Sequence, residues 1–273
     1  MFRPNRLKER ILSGQQSFGT WLQSNYPAFA EMAAAAGFDF IILDQEHGPG
    51  DERGAIDMMR AASGAPATVL VRVPSSHPTY LKRLLDAGCE GVVVPMVESA
   101  EEAKAIVEAC RYAPRGTRGN AADIARCSSY GFQPDYLKRA DDNFLIVVQI
   151  ETAKAVKNAR AIAEVDGVDV VFIGPTDLSG SIGLMGQTGH PDVEALIAEA
   201  VREVKAVGKP LATVPRIGKT WQDLMGEGYC FVATGSEIYS YRMAATELMK
   251  GWRAYRKAEE VQVAEAPKGS YST

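Results

Sequence analysis

The amino-acid sequence predicts a (β/α)8 barrel. Eight short apolar runs occur along its 273 residues, and segments with helical periodicity separate nearly all of them. Eight strands alternating with helices over roughly 250 residues is the pattern of this barrel. A doubly wound open sheet would show a similar alternation. It is less favoured, because no G-x-G-x-x-G turn follows the first apolar run and the chain has no P-loop.

The predicted strands are continuous apolar runs, which is typical of parallel strands buried on both faces. The run FDFIILD is the clearest example, and it ends in Asp44. The eight predicted strands are residues 17–22, 38–44, 68–73, 91–97, 145–151, 168–174, 210–215 and 229–234.

Helical segments lie between these strands. Gly37 and Gly88 end two of them, as glycine commonly does. Residues 112–142 are polar with little strand signal, so we expect a loop with short helices there. We expect one barrel domain over residues 1–257 and a frayed polar tail over 258–273. The predicted helices are residues 3–13, 26–36, 51–63, 78–87, 99–110, 153–164, 191–207, 218–226 and 238–257.

Composition excludes several classes of protein. A net charge of -4, without a basic cluster interleaved with aromatics, indicates neither a nucleic-acid nor a membrane partner. The four cysteines form no CxxC pair, which argues against a zinc ribbon. The chain start lacks the apolar region of a secretory signal, and no apolar run is long enough for a membrane span. We therefore expect a cytoplasmic protein with a small-molecule substrate.

Two carboxylates follow neighbouring predicted strands. Glu151 comes directly after the fifth strand's apolar run, and Asp177 follows the sixth. The carboxyl ends of parallel strands lie side by side, and ligands bind there. With Gln149 beside them, the two acids suggest a hard divalent cation. The alternative is that Glu151 caps a helix and Asp177 caps a turn, and this stretch alone supports both interpretations equally.

A histidine and an arginine fall at the same predicted edge. His47 lies in DQEHGPGD just past a buried strand, which suits a general base, although a lone histidine is often structural. Arg72 lies within an apolar run, where a charge is costly unless it is paired. It either pairs with Asp44 or Glu46 or holds an oxyanion with its fork, and these two roles are compatible.

Weaker signals complete the predicted site. Trp21 lies at the end of the first strand. The turn Gly174–Pro175–Thr176 could present backbone N–H groups to an anion. Asp86 resembles a surface acid, but an orienting carboxylate often backs a catalytic histidine.

With these residues assembled, the sequence resembles the metal-dependent class II pyruvate aldolases of the HpcH/HpaI aldolase family. The matching motifs follow the family order across most of residues 17–250. They are LDQEHGP (43–49), VRVP (71–74), LDAGCEGVVVPMVES (85–99), RYAPRGTRG (111–119), VQIETAKAVKN (148–158), GVDVVFIGPTDLSGSIG (167–183) and HPDV (190–193).

The resemblance implies a phosphoenolpyruvate/pyruvate-type barrel that forms a homo-oligomer. Its last helix is often exchanged between the subunits of a dimer, and a hexameric trimer of dimers is favoured. It also implies a carbon–carbon lyase that reversibly cleaves 4-hydroxy-2-oxo acids to pyruvate and an aldehyde. Segment 120–136 departs from the Arg/Ser/Trp-rich family pattern, so the sequence does not name the aldehyde.

The resemblance further implies a role for each matched residue. Glu151 and Asp177 would ligate Mg²⁺, Mn²⁺ or Co²⁺. His47 would transfer a proton through water with Asp86 orienting it, and Arg72 would stabilise the enolate. The pyruvate pocket would be lined by Trp21, Arg72, Gln149, Gly174, Pro175, Thr176 and Asp177.

Two alternative functions remain open at this stage. The first is a related lyase that acts on an acyl-CoA or decarboxylates oxaloacetate. A CoA site would need basic residues near the rim, and the arginines of 115–126 are the candidates. The second is a non-enzymatic binding barrel, which would require a vestigial metal site.

Overall fold

The strands pair in chain order, all parallel, and β8 returns to β1 to close the barrel. This confirms the predicted (β/α)8 fold. The computed structural model describes residues 2–265. Its strands are β1 Ser17–Leu22, β2 Phe40–Asp44, β3 Thr68–Arg72, β4 Gly91–Val94, β5 Leu145–Ile150, β6 Val170–Ile173, β7 Leu211–Thr213 and β8 Phe231–Ser236.

Helices surround the barrel, and several begin at a side chain that accepts a hydrogen bond from the first turn. Asp51, Ser99, Thr152 and Thr220 have this capping role. The helices are α1 Arg6–Leu12, α2 Pro27–Ala36, α3 Glu52–Ala61, α4 Pro78–Ala87, α5 Ala100–Cys110, α6 Tyr136–Asn143, α7 Ala153–Lys157, α8 Ala159–Glu164, α9 Pro175–Ser181, α10 Pro191–Ala206, α11 Trp221–Gly226 and α12 Glu237–Glu265.

The element boundaries differ from the predictions in a few places. The predicted strand 91–97 ends at Val94, since the chain turns at Met96, which has φ +56°. The predicted helix 153–164 is two helices that meet at Asn158. Residues 175–181 form a short helix where a turn was predicted, because Pro175 can start a helix despite the Gly and Ser that follow.

The predicted frayed tail is also partly wrong. Helix α12 continues through residues 258–265, and residues 266–273 lie outside the described residues. Along α12 large apolar side chains are exposed, with Tyr241 at 76% and Leu248 at 75%. None of the helices in residues 2–265 combines the length and apolar character needed to cross a membrane.

The core has an inner and an outer layer because successive strand residues point to opposite faces. Phe40 and Ile42 fill the barrel interior, whereas Ile41 packs outward against the helices. Helix α1 closes the amino-terminal end of the barrel with the fully buried Leu7. Gly19 is required in β1, since a Cβ there would overlap the Phe40 ring. This packing leaves the carboxyl-terminal ends of the strands free to carry a site.

Candidate active site

A cleft of about 450 Å³ opens at the carboxyl-terminal ends of the strands. We call it the rim cleft. It brings together residues contributed by β1, by β3, by β5 and by the segments that follow β2, β5 and β6. The predicted site residues that line it are Trp21, His47, Arg72, Gln149, Glu151, Gly174, Pro175, Thr176 and Asp177.

Asp86 is the predicted site residue that the structure places elsewhere. Helix α4 follows β3 and runs back along the barrel, so its last turn, with Asp86, lies toward the amino-terminal end. The Asp86 carboxylate accepts a hydrogen bond from Arg118 Nη2 at 2.7 Å. The predicted pairing with His47 is therefore not formed within the described chain. The sequence alone could not show that Asp86 forms an ion pair with Arg118.

The Arg72 guanidinium is held by two carboxylates. The strand register sets Asp44 beside Arg72, and Arg72 Nε and Nη2 donate to Asp44 Oδ1 and Oδ2 at 2.9 and 2.7 Å. Arg72 Nη1 lies 3.1 Å from Glu46 Oε2, and the Trp21 ring lies under the guanidinium at 4.5 Å. The ion pairs considered from the sequence are thus both present. One N–H remains on each terminal nitrogen for a ligand.

Asp44 also shapes the loop that carries His47. Its burial opposes ionisation, but the Arg72 guanidinium holds the pKa of Asp44 below its ordinary value. Asp44 Oδ1 accepts the backbone N–H groups of Glu46 and His47 at 3.2 and 3.3 Å. The His47 side chain is 61% exposed, with Nε2 3.9 Å from Glu46 Oε2. An imidazole at this position can exchange protons between the cleft and water.

Glu151 is buried in the wall of the rim cleft. Its Oε1 accepts the Met96 N–H at 2.6 Å, and Gln149 Nε2 lies 3.5 Å from Oε2. Burial raises the pKa of Glu151 to about 7, and the negative charges of Glu46 and Asp177 act in the same direction. This carboxylate therefore lies where a positive charge would stabilise its ionised form.

The capping interpretation of the two acids fails on the local geometry. Thr152, not Glu151, caps α7, with its side chain accepting the Ala155 N–H. Asp177 lies exposed in the first turn of α9, whose N-cap is Gly174. A Cβ on Gly174 would lie 2.5 Å from Glu151 Oε2, so only glycine allows the backbone to approach this carboxylate. Both acids are consequently available to a ligand in the cleft.

The oxygen atoms at this edge fit a hard divalent cation. Gln149 Oε1 is buried and has no hydrogen-bond partner in residues 2–265. No group of three or more His, Cys, Asp or Glu side chains placed to hold a metal occurs in the described part of the chain. A cation here would therefore rely on Glu151, Asp177, the Gln149 amide oxygen and water. Mg²⁺ commonly binds through one or two carboxylates and retains several waters.

Several residues of the site were missed from the sequence. Met96 contributes through its backbone N–H, which leaves no sequence signal. Val214 and Ser236 line the cleft at the ends of β7 and β8, and their position near the ends of the last two predicted strands was the available signal. Glu237 Oε1 accepts the backbone N–H groups of Gln23 and Ser24 at 2.7 and 2.5 Å, which ties the end of β1 to the start of α12.

The arginines considered for a CoA site do not reach the rim cleft. Arg115 pairs with Asp141 and Asp142. Arg118 pairs with Asp86, as described above. Among the residues of the described chain that line the cleft, Arg72 is the single Arg or Lys. The cleft therefore offers little to a polyphosphate group.

Comparison with known proteins agrees with this geometry. The HpcH/HpaI aldolase/citrate lyase family matches residues 17–244. The hydroxypyruvate/pyruvate aldolase of Cupriavidus necator is 39% identical over 270 residues, which is 98% of each chain. The 4-hydroxy-2-oxovalerate aldolase of Rhodococcus jostii is 40% identical, over 86% of this chain and 91% of its own.

A solved structure agrees with the sequence comparison. The crystal structure of an HpcH/HpaI aldolase/citrate lyase family protein from Burkholderia cenocepacia is similar, with a TM-score of 0.86 and 31% identity. The similarity covers 91% of this chain and 99% of that one. Together these matches confirm the predicted aldolase family and the predicted carbon–carbon lyase. The chain belongs to the HpcH/HpaI aldolase/citrate lyase family.

Proposed function

We propose that this protein is a divalent-metal-dependent aldolase that reversibly cleaves a 4-hydroxy-2-oxo acid to pyruvate and an aldehyde. One observation carries the proposal: Arg72, His47 and the Glu151–Asp177 pair face a single cleft. Two relatives support the proposal by name: one is a 4-hydroxy-2-oxovalerate aldolase, and the other is a hydroxypyruvate/pyruvate aldolase.

The reaction makes two demands on the site. Cleavage of the C3–C4 bond leaves an enolate, whose negative charge must be stabilised, and the 4-hydroxyl group must lose its proton. Glu151 and Asp177 would hold Mg²⁺, Mn²⁺ or Co²⁺, which when bound supplies Lewis-acid polarisation of the 2-oxo group.

Arg72 meets the first demand through the donors that Asp44 and Glu46 leave free. The remaining N–H on Nη1 and on Nη2 would donate to the 2-oxo oxygen as it becomes an enolate. Because Asp44 holds the Nε–Nη2 edge of the guanidinium, these donors are oriented before substrate arrives. Preorganised donors of this kind typically contribute a factor of about 10² to 10³ in rate.

His47 meets the second demand. Its imidazole at the cleft mouth would accept the 4-hydroxyl proton through water and return it on the reverse reaction. Trp21 supports the Arg72 guanidinium and would form one wall of the pyruvate pocket. Gly174, Pro175 and Thr176 would form the opposite wall, where the start of α9 presents backbone N–H groups toward the substrate carboxylate.

The experiment that tests this function is a product assay on a substrate panel. Pyruvate release is followed with lactate dehydrogenase and NADH, and the aldehyde is trapped and identified. We expect equal amounts of pyruvate and aldehyde from 4-hydroxy-2-oxo acids. Pyruvate from oxaloacetate without aldehyde, or activity confined to malyl-CoA-type thioesters, would instead establish the alternative lyase.

We also propose that the protein is a homo-oligomer, with a trimer of dimers favoured. The support is α12, which exposes large apolar side chains including Leu248 and Trp252. Exchange of this helix with a second subunit would bury them. Light scattering should give a multiple of the 29.5 kDa chain mass. Leu248→Glu should lower that multiple, whereas a wild-type protein of one chain mass would reject the proposal.

A further inference from the structure

A second cavity, of about 540 Å³, lies at the opposite end of the barrel. We call it the basal cavity. It is lined by Val69 near the start of β3 and by Glu90 directly before β4, which places it at the amino-terminal ends of these strands. The end of α3, the loop around Tyr130 and the N-terminal segment complete its wall. It shares no lining residue with the rim cleft.

The basal cavity contains a buried guanidinium without a counterion. Arg126 is 8% exposed, and its Nη1 donates to the Ala87 carbonyl at 2.8 Å. Nη1 also lies 3.8 Å from Met59 Sδ, a weak acceptor. No carboxylate of the described chain forms an ion pair with Arg126. A buried charge is costly unless a group of opposite charge compensates it.

The acid that lines this cavity, Glu90, is already paired with Arg3. Glu90 Oε1 and Oε2 accept hydrogen bonds from Arg3 Nε and Nη2 at 2.7 and 3.0 Å, and Oε2 also accepts the Val69 N–H at 2.8 Å. Arg60 lines the cavity as well, and its pair with Asp57, at 3.2 Å, is exposed. Within the described residues the cavity wall therefore carries more positive than negative charge.

The charges in the cavity influence one another. Burial lowers the pKa of Arg126 and the positive charge of Arg60 acts in the same direction, whereas Tyr130 and Glu90 act in the opposite direction. Two like charges facing one cavity, whose lining carboxylate Glu90 is already paired with Arg3, are stabilised when an anion enters.

A strained loop forms one wall of the basal cavity. Ser129 and Tyr130 have φ of +58° and +60°, a left-handed backbone that residues other than glycine rarely adopt. Ser128 Oγ fixes this turn because it lies within donating distance of the Ala122 and Ala125 carbonyl oxygens and accepts the Gly131 N–H at 2.9 Å. The turn sets the half-exposed Tyr130 ring against the cavity. Strained backbone of this kind occurs preferentially at binding sites.

We propose that the basal cavity binds a small organic anion through Arg126, with Arg60 as the second cation. The anionic group is a phosphate or a carboxylate, because the free edge of a guanidinium matches either oxyanion with paired N–H donors. The Ser63 hydroxyl lies at the same wall, where it donates to the Arg60 carbonyl at 2.6 Å. Met59, Val69 and the Tyr130 ring offer apolar surface to the rest of the ligand. The proposal is independent of the aldolase function.

Isothermal titration of the metal-loaded full chain tests this proposal. The probes are inorganic phosphate, acetate and phenyl phosphate. We expect saturable binding of phosphate or acetate, whichever group the site prefers, and tighter binding of phenyl phosphate than of inorganic phosphate. Arg126→Gln should weaken binding by at least about tenfold, as expected for the loss of a charged hydrogen-bond donor. Arg60→Gln should weaken it less, and the exposed Arg160→Gln should leave it unchanged.

Two further measurements make the result decisive. Arg60 is largely exposed, so the Arg60→Gln variant should fold. It provides the test of anion binding if the Arg126→Gln variant does not fold. Glu151→Gln alters only the rim cleft, so it should retain anion binding whether or not the protein is an aldolase. Absence of saturable binding by the wild type overturns the proposal. So does equal binding by wild type and Arg60→Gln, or loss of binding in Glu151→Gln.

Discussion

Each end of the barrel holds an arginine that faces a cavity, but the two arginines have opposite surroundings. At the carboxyl end, Arg72 is fixed by Asp44 and Glu46, and two further acids line or border the same cleft. At the amino end, Arg126 donates to a backbone carbonyl, and Glu90 is paired with Arg3. The first end has surplus negative charge and the second surplus positive charge.

This difference shows what each cavity is suited to bind. The rim cleft fits a cation, and its arginine is oriented before any ligand arrives because its counterions belong to the protein. The basal cavity fits an anion, since no carboxylate of the described chain pairs with Arg126. Net charge alone, -4 for the whole chain, hides this separation. The predictions below test the rim side of the comparison, where the expected effects are largest.

Arg72→Ala should have the largest effect. Loss of the oriented donors should lower kcat for pyruvate release by about 10² to 10³. Arg72→Lys should also be severely impaired, since an ammonium cannot reproduce the fork. Arg83 provides a matched control, because it is exposed and paired with Glu52 at 3.0 Å. Turnover near the wild-type value in Arg72→Ala would reject the enolate role.

The next effect concerns the buried charge of Glu151. Its pKa is raised from 4.5 to about 7, so between these pH values the folded metal-free protein retains a proton that the unfolded chain has released. The free energy of unfolding therefore falls as pH rises through this window. Above pH 7, the buried and ionised Glu151 carboxylate lowers the free energy of unfolding by about 3 kcal/mol.

Glu151→Gln should remove that cost. We expect the chelated variant to be more stable than the chelated wild type at pH 8 and nearly equal to it at pH 5, measured by urea denaturation. Added Mn²⁺ should stabilise the wild type but not the variant. The same stability difference at both pH values would show that Glu151 is not held as a buried, readily protonated acid.

Gly174→Ala should have an intermediate effect. The added Cβ would lie 2.5 Å from Glu151 Oε2 and must displace the carboxylate. Changes next to a metal ligand typically weaken metal affinity by about 10- to 100-fold, and titration with Mn²⁺ measures this. In Gly226→Ala the Cβ meets open space, so this variant should bind Mn²⁺ like the wild type. Unchanged affinity in Gly174→Ala would argue against Glu151 as a ligand.

Met96→Gly should have the smallest effect, with the opposite sign. Met96 has φ +56° while its N–H holds Glu151, and glycine adopts this conformation without strain. We expect a gain in the free energy of unfolding of up to about 1 kcal/mol. The same change at the exposed, helical Met32 should cost about 1 kcal/mol. A loss at both positions would contradict the proposed strain.

The sequence predicts the fold well because one signal repeats along the chain. Every predicted strand overlaps an observed one, since runs such as 38–44 must be buried on both faces of a parallel sheet. The predicted element boundaries were less accurate where the backbone conformation, rather than the apolar pattern, determines where a helix or strand ends. The break at Asn158 and the extension of α12 beyond residue 257 are examples.

The candidate site likewise has features that the sequence predicts and features that depend on the folded chain. Strand ends are visible in the sequence, and the structure brings Arg72, Gln149 and Glu151 to one cleft. Contacts made by backbone atoms or by distant loops are not visible. The Met96 N–H and the Arg118 partner of Asp86 depend on the folded chain, and so does the unpaired state of Arg126.

The measurement that tests the central claim most directly is pyruvate release from a 4-hydroxy-2-oxo acid before and after removal of divalent metal. Exhaustive treatment with EDTA should abolish release, and Mn²⁺ or Mg²⁺ should restore it in the wild type but not in Asp177→Asn. Full activity after chelation, or equal restoration in Asp177→Asn, would contradict the assignment of the rim cleft as a metal-dependent aldolase site.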